Sequence, residues 1–170
     1  YRTAAWDATT GALQNWSVDT NGVSGNDISV WNNKVYLTGP FTRATPRTGA
    51  SSATAGTTVT RNGVVVVKDA PSWDTVTVNN NMDSTDPQLR LTSTSTSQGG
   101  LMAEQIGSYM YIGGYMTGYK DSSSALQGSM GWMRLDSSGT ASAGPYKAAT
   151  PVTSLTTSYN TWVSGDTVYV

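Results

Sequence analysis

The stretch Val35-Tyr36-Leu37-Thr38-Gly39-Pro40-Phe41-Thr42 decides the fold, because it recurs further along the chain. A second copy reads Met110-Tyr111-Ile112-Gly113-Gly114-Tyr115-Met116-Thr117, and a third begins at Val168-Tyr169-Val170. Each copy is apolar around a Tyr, and in the two complete copies a glycine-containing break and an aromatic follow. The pattern predicts a β-strand, here called the Tyr strand, that enters a tight corner.

A predicted two-residue hairpin precedes each Tyr strand. The turn pairs Asn32-Asn33, Gly107-Ser108 and Gly165-Asp166 all end three residues before the Tyr. Such pairs favour short hairpin loops, because one or both central residues must take a positive φ. Three hairpins in one register indicate a structural repeat.

An aspartate turn is the second recurring feature. Asp7-Ala8-Thr9-Thr10-Gly11 and Asp136-Ser137-Ser138-Gly139 combine a carboxylate that can accept backbone N–H bonds with a glycine that allows positive φ. Asp69-Ala70-Pro71-Ser72 is a weaker version without the glycine. An apolar stretch stands immediately before Asp69 and before Asp136, and it predicts one more strand in each unit.

The repeating unit is therefore strand, Asp turn, strand, hairpin, Tyr strand and corner. It predicts one all-β region over 1–170, with approximate units 1–60, 61–127 and 128–170, the last truncated. Loops rich in Ser, Thr, Gly and Ala are expected over 43–60 and 118–127, and an insertion within 79–100. No helical periodicity extends over ten residues; Gly100–Ile106 could form one helical turn but lies where a strand is expected.

Composition narrows the function more than any motif does. The 170 residues include no Cys and no His, which excludes disulfides, thiol nucleophiles, imidazole-based triads and the usual zinc sites. Only 12% of residues are charged and the net charge is −1, so nucleic-acid binding is not expected. No apolar run approaches the roughly twenty residues that span a bilayer, and membrane insertion is not expected.

Surface chemistry favours an extracellular or cell-surface location. Loops are neutral and rich in hydroxyl groups and Lys is sparse, as in many secreted bacterial proteins. Because the chain opens with Tyr1, we expect a processed chain or a fragment.

These motifs resemble the delta-sixty repeats of bacterial β-propellers, whose units join an Asp-x-x-x-Gly turn to a Val-Tyr-x-Gly-Gly-x-Phe corner. The resemblance rests on Asp7 with Gly11, Val35-Tyr36 with Gly39 and Phe41-Thr42, Tyr111 with Gly113-Gly114, and Asp136-Ser137-Ser138-Gly139. Pro40, Met116 and the Asp69 turn depart from the pattern. The resemblance implies propeller-like repeats of antiparallel sheets in a secreted or surface protein, and a fold rather than an activity. Three units are fewer than the four to eight blades of a closed ring, which predicts an incomplete propeller.

Several sets of residues are candidate sites. The oxygen-rich set that could hold Ca²⁺ comprises Asn79, Asn80, Asn81, Asp83 and Asp86, although no known calcium spacing is present and a solvated loop is the default. Paired carboxylates for glycoside hydrolysis could come from Asp7, Asp27, Asp69, Glu104, Asp136 or Asp166, but most of these are turn residues. Aromatics outside the repeat positions, which could stack on sugar rings, are Trp31, Trp73, Tyr115, Tyr119, Tyr146 and Tyr159.

Two further patterns are a tryptophan segment and a glycosylation sequon. The segment from Asp7 to Trp16 is similar to the tryptophan-docking repeats of quinoprotein propellers, but its spacing differs and Trp16 has no clear counterparts, so packing between blades is preferred. Asn15-Trp16-Ser17 is the only N-glycosylation sequon.

We therefore expect a non-catalytic module for adhesion, recognition or scaffolding, without catalytic, cofactor-binding or metal-binding residues and without a cofactor. A protein or glycan partner and self-association through sheet edges are both compatible with the sequence. The alternatives are a structural subunit of an extracellular filament or surface layer, in which exposed edges pair with neighbouring copies, and, third, a propeller-type glycoside hydrolase fragment.

Overall fold

The computed structural model describes residues 3–22, 24–48, 54–61, 63–68, 100–116, 118–120, 126–128, 132–139, 141–142, 156–157, 162–164 and 167–169. Over these residues the chain is all-β and has no helix, and the strand pairings are antiparallel. The predicted fold class is confirmed to that extent. The described sheets do not form a closed propeller ring.

The described residues form sixteen strands. In chain order these are β1 (Ser17–Thr20), β2 (Asp27–Trp31), β3 (Lys34–Thr38), β4 (Arg43–Thr48), β5 (Thr54–Ala55), β6 (Val59–Thr60), β7 (Val64–Lys68), β8 (Gly100–Ile106), β9 (Tyr109–Met116), β10 (Gly118–Lys120), β11 (Leu126–Gly128), β12 (Trp132–Leu135), β13 (Ala141–Ser142), β14 (Thr156–Thr157), β15 (Trp162–Ser164) and β16 (Thr167–Tyr169).

Three sheets carry most of these strands. The first sheet joins β1, β4, β5 and β6, the second has the order β2-β3-β7, and the third joins β8, β9, β12, β13 and β14. Strands β10 and β11 form a separate pair, as do β15 and β16. The Tyr strands β3 and β9 are central, because each has a partner on both sides.

The three predicted hairpins are present in the predicted register. The closing pairs are Trp31 with Lys34, Ile106 with Tyr109, and Ser164 with Thr167, each across two residues. Asn32 and Asn33 both have positive φ, at 50° and 57°, as a type I′ turn requires. In the second hairpin Gly107 has a φ of 56° and Ser108 does not share it, which fits a type II′ turn.

The predicted corner after the Tyr strand occurs in the first copy and not in the second. Strand β3 ends at Thr38, and the corner at 39–41 is held by N–H bonds from Gly39 to the Gly63 carbonyl, at 3.1 Å, and from Gly63 to the Phe41 carbonyl, at 2.9 Å. In the second copy β9 continues through both glycines to Met116, so the prediction of a corner there is wrong. Gly113 pairs with β12 on one side and β8 on the other, which keeps that strand extended.

The two hydroxyl-rich segments predicted as loops contain strands instead. Arg43 pairs with Thr60 in the segment 43–60, and Gly118 pairs with Gly128 next to the segment 118–127. Alternating Thr and Val favours extended backbone, which explains β6. The small residues around this strand had indicated a loop. Arg43 and Gly118 each lie seven residues after their Tyr, so these hairpins belong to the repeat. The segment Gly100–Ile106 is strand β8, as expected.

Both described aspartate turns form as predicted. Asp7 Oδ1 accepts the backbone N–H groups of Thr9, at 2.9 Å, and of Thr10, at 2.7 Å. Asp136 Oδ1 accepts the N–H of Ser138 at 2.9 Å. Gly11 and Gly139 supply the positive φ, at 71° and 89°. The Asp69 turn and most of the insertion at 79–100 lie outside the described residues, and the unit boundaries stay a prediction.

The sheets stack face to face, so that β3 and β7 of the second sheet are buried on both sides. One core cluster joins the first and second sheets and contains Trp16, Val18, Val35, Leu37, Phe41, Ala44, Val65 and Val67. The other joins the second and third sheets and contains Tyr36, Val64, Val66, Ala103, Met110, Ile112, Met133 and Leu135. Alternate residues of β3 and β7 therefore enter opposite clusters, as the two-residue period of a strand requires.

The far face of the third sheet is aromatic. The rings of Tyr111 and Trp132 stack with centroids 5.4 Å apart, and both side chains are buried. The Arg134 guanidinium lies 3.8 Å from the centre of the Tyr109 ring. Tyr36 and Tyr111 thus both point away from the first sheet, so equivalent residues of successive sheets keep the same direction.

Candidate functional site: a cleft between the first two sheets

A cleft of about 390 Å³ lies between the first and second sheets, beside β2. It exists because the first sheet covers β3 and β7 but leaves β2 exposed on the same face. Val35 and Leu37 of β3 are buried there, whereas their cross-strand partners Val30 and Ile28 are 59% and 54% exposed. The volume is at the lower end of the range of about 300–1,000 Å³ that small-molecule sites occupy.

The cleft has an apolar floor and a polar rim. Its apolar lining residues are Ala4, Ile28, Leu37 and Phe41. Hydroxyl, amide and carboxylate residues line the rest, chiefly Thr3, Thr20, Asn26 and Asp27.

One wall of the cleft is the segment that precedes β1, and Thr3 fixes it. The Thr3 backbone N–H donates to the Val18 carbonyl at 3.0 Å, and the Val18 N–H donates to Thr3 Oγ1 at 2.9 Å. The exposed pair Trp6 and Leu13 forms a β-bridge further along this segment. The two bonds between Thr3 and Val18 join the segment to the outer edge of β1 and hold Thr3 and Ala4 against the cleft.

The loop between β1 and β2 forms another wall, and Asn21 ties it to the corner. Asn21 Oδ1 accepts the backbone N–H groups of Thr42, at 3.0 Å, and of Arg43, at 2.8 Å. Glycine is required by close approach at Gly22, where an added Cβ would lie 2.5 Å from the Pro40 carbonyl oxygen. The loop between β1 and β2 therefore packs against the corner, and this contact fixes the position of the cleft wall.

Both oxygens of the Asp27 carboxylate accept hydrogen bonds from backbone N–H groups. Its Oδ1 accepts the N–H of Ile28 and its Oδ2 accepts the N–H of Ala103 on β8, both at 2.8 Å. Among the described residues that line the cleft there is no Lys or Arg. The Asp27 carboxylate is therefore the one charged group of the described lining, and it repels anionic ligands.

Among the other proposed carboxylates, those that the structure describes do not line the cleft. Asp7 and Asp136 serve their own turns, and the pKa of Asp7 is lowered, first by the Thr10 backbone N–H, then by the Thr10 hydroxyl and the Thr9 N–H. Glu104 lies on β8, and Asp69 and Asp166 lie outside the described residues. Over the described part of the chain, no group of three or more acidic residues is placed to hold a metal ion.

The remaining predicted candidates are largely outside the cleft or outside the described residues. Trp31 is half-buried and packs on the cluster between the second and third sheets. Tyr115 lies on β9 and Tyr119 on β10, where it pairs with Gln127, and the structure describes only their backbone. Outside the described residues lie Trp73, Tyr146, Tyr159 and the oxygen-rich set Asn79, Asn80, Asn81, Asp83 and Asp86.

The predicted sequon and Trp16 both lie at the buried core. Asn15 is half-buried beside two buried residues, Trp16 and Ser17. Trp16 packs between the first and second sheets, which agrees with the predicted packing role. No helix in the described residues has the length and hydropathy of a membrane span.

Sequence reasoning missed the cleft, although it singled out Asp27. Ile28 and Val30 flank Ser29 in an ordinary alternating strand, and nothing local shows that their face lacks a covering sheet. Thr3, Thr20 and Asn26 come from separate segments. Bonds between Thr3 and Val18, and from the Asn26 N–H to the Thr38 carbonyl, place these segments around the cleft. One signal was available, namely two β-branched apolar residues beside an Asp on a strand next to a hairpin.

The comparisons with known proteins add no relative. No protein-family model, curated protein or solved structure matches this chain.

Proposed function

We propose that this chain is a non-catalytic recognition module of propeller-like repeats, secreted or displayed at a cell surface, that binds its ligand in the cleft beside β2. The cleft carries this proposal, because it combines an apolar floor at Leu37 and Phe41 with a rim of hydroxyl and amide groups. Concave, largely apolar sites with a few polar groups are typical of ligand binding.

The use of the acidic residues supports a role without catalysis. Asp7, Asp27 and Asp136 all accept backbone N–H bonds, which is how carboxylates stabilise turns and strand edges. The chain also has no His or Cys to act as base or nucleophile.

The stacked sheets support the propeller-like part of the proposal. Successive sheets pack face to face. The residues of β3 and β9 that face the preceding sheet occupy equivalent positions in the repeat. Val35 and Leu37 face the first sheet as Met110 and Ile112 face the second. This is the order expected of neighbouring blades.

A second candidate function is a subunit of a filament or surface layer. Trp6 is 63% exposed and Leu13 is 55% exposed, and both lie in the bridge beside the first sheet. An exposed apolar pair at a sheet edge is a surface that a second copy can cover.

An array of glycans and synthetic peptides, probed with the labelled chain, tests the proposed function. The key variant is Gly25→Trp, since Gly25 lines the cleft and an added Cβ there has open space. The matched control is Gly25→Ala. We expect ligands that bind the wild type and Gly25→Ala but lose at least about tenfold in affinity with Gly25→Trp.

Three outcomes would contradict the proposal. One is binding that Gly25→Trp leaves unchanged, because the ligand would then lie elsewhere. Another is hydrolysis of nitrophenyl glycosides by the purified chain. The third is light scattering that shows open-ended growth abolished by Trp6→Ser, together with no ligand on the array, which would favour the filament subunit.

A further inference from the structure

We propose that the cleft binds an extended, uncharged protein segment that inserts one apolar side chain, and not a carbohydrate. This inference rests on the recognition function proposed above and names its ligand class.

The floor of the cleft suits an aliphatic or aromatic side chain. Leu37 and Phe41 line the inner end of the cleft and are almost fully buried in the cluster below, so they fix its shape and add little accessible surface. Ile28, which is 54% exposed, supplies most of the aliphatic surface that an incoming side chain can contact. An anchor side chain seated in such a pocket supplies much of the binding energy in protein recognition.

The same floor is poorly suited to a sugar. Sugar rings stack on the exposed face of an aromatic ring, and Phe41 is only 2% exposed. The described lining offers no other aromatic side chain. The rim alone would have to hold a sugar through hydrogen bonds.

The exposed face of β2 indicates an extended ligand. Ile28 and Val30 stand two residues apart on the uncovered face, so their side chains are separated by about 7 Å. Alternate side chains of an extended segment have the same spacing. A segment that places one side chain in the cleft beside Ile28 can therefore set its next apolar side chain against Val30.

The charge of the site selects against ionic side chains. The cleft contains one carboxylate, that of Asp27, which repels an acidic side chain, and the described lining has no Lys or Arg to pair with one. Burying any charged side chain against an apolar floor costs free energy, so a Lys or Asp at the anchor position should bind more weakly than Leu or Phe.

The test is a titration of the isotope-labelled chain, followed through the backbone amide signals of Asn26, Ile28 and Leu37. The probes are blocked peptides Thr-X-Thr-Val-Thr in which X is Gly, Leu, Phe, Lys or Asp, with glucose and N-acetylglucosamine as sugar probes. We expect saturable shifts whose affinity rises about tenfold or more from X = Gly to X = Leu or Phe. Lys, Asp and the sugars should give no saturable shift.

Two surface variants locate the contact. Ile28→Ser and Val30→Ser should each weaken the X = Leu peptide at least about threefold, whereas Leu13→Ser, at an exposed apolar position outside the cleft lining, should not. Since all three positions are more than half exposed, the variants should retain the wild-type spectrum elsewhere.

The contradicting results separate the ligand class from the function. Saturable shifts with a sugar, or equal affinity for X = Lys and X = Leu, would overturn the protein-segment proposal and leave recognition at the cleft standing. No peptide shift at any X would also overturn it. If the glycan and peptide array yields no cleft ligand either, the recognition function falls as well.

Discussion

The backbone N–H of Ala103 on β8 donates to Oδ2 of Asp27 on β2 at 2.8 Å, and this bond joins the second and third sheets. In the described part of the chain both strands are at sheet edges, where the outward N–H groups have no partner strand. The other oxygen of the same carboxylate accepts the N–H of Ile28. One side chain therefore satisfies an N–H on each of two edges and holds the sheets in register.

Replacing Asp27 by Ala should lower the free energy of unfolding by about 1–3 kcal/mol, because the partly buried N–H of Ala103 loses its acceptor. Asp27→Asn keeps one acceptor oxygen and should lose less. Urea denaturation followed by Trp fluorescence measures both. A change of less than about 0.5 kcal/mol for Asp27→Ala would show that the bond does not hold the sheets together.

Tyr36 should make the protein sensitive to alkaline pH. Burial, and secondly the negative charge of Asp136, raise the pKa of Tyr36 to about 12 from its ordinary value of 10.0. Below pH 10 the hydroxyl is protonated in both the folded and the unfolded chain. Between pH 10 and 12 only the unfolded chain loses the proton, so the free energy of unfolding should fall by about 1–2 kcal/mol.

Tyr36→Phe is the matched variant. Among the described residues the buried Tyr36 hydroxyl has no hydrogen-bond partner, so its removal should leave stability at pH 7 equal or higher by up to about 1 kcal/mol. The difference between variant and wild type should then grow from pH 10 to 12 in denaturant titrations. A difference that stays constant with pH would contradict the assignment.

Gly22 and Gly25 offer a paired test of the loop that lines the cleft. Gly22→Ala places a Cβ 2.5 Å from the Pro40 carbonyl oxygen, a backbone atom that cannot move freely, and should destabilise the fold by about 1–3 kcal/mol. Gly25→Ala meets nothing within 4 Å and should change stability by less than about 0.5 kcal/mol. Thermal denaturation that finds the two variants equal would mean that the loop does not pack on the corner.

The carboxyl group of Asp7 should titrate below the ordinary value of 3.8. The Thr10 N–H, the Thr10 hydroxyl and the Thr9 N–H stabilise the ionised form and lower its pKa. The turn therefore gains stability above pH 3.8 and loses it as pH falls through the lowered pKa. Carbon-detected titration of Asp7 measures this, and Thr10→Val should move the pKa back toward 3.8. Titration at or above 3.8 in the wild type would contradict the turn geometry.

The repeat made much of the local structure predictable. Turn pairs such as Asn32-Asn33 and Gly107-Ser108 have few conformational choices, and alternating apolar residues define a strand. The corner at Gly39-Pro40-Phe41 was predictable because Pro40 cannot donate to a ladder, which ends the strand. Gly113 and Gly114 carry no such signal. The strand stays extended there because Gly113 has partners on both sides and Gly114 pairs with Gly100.

The sequence predicted the register of the hairpins but not how each Tyr strand pairs with the strand that precedes the next Asp. Tyr36 pairs with Val66, three residues before Asp69, whereas Tyr111 pairs with Arg134, two residues before Asp136. A slip of one residue turns a strand over, so Val66 and Met133 face opposite ways although both stand three residues before an Asp. The cleft depends on which strands the first sheet covers, and this follows from packing between distant segments.

Native-state hydrogen exchange tests the stacking of the sheets most directly. Because β3 and β7 are buried between two clusters, the amides of Thr45, Tyr36, Val66 and Ile112 should exchange with one free energy and one denaturant dependence, as a single cooperative unit. Exchange of Thr45 or Ile112 at a clearly lower free energy than Tyr36 and Val66 would contradict the stack. The cleft would then lie beside a sheet that opens independently.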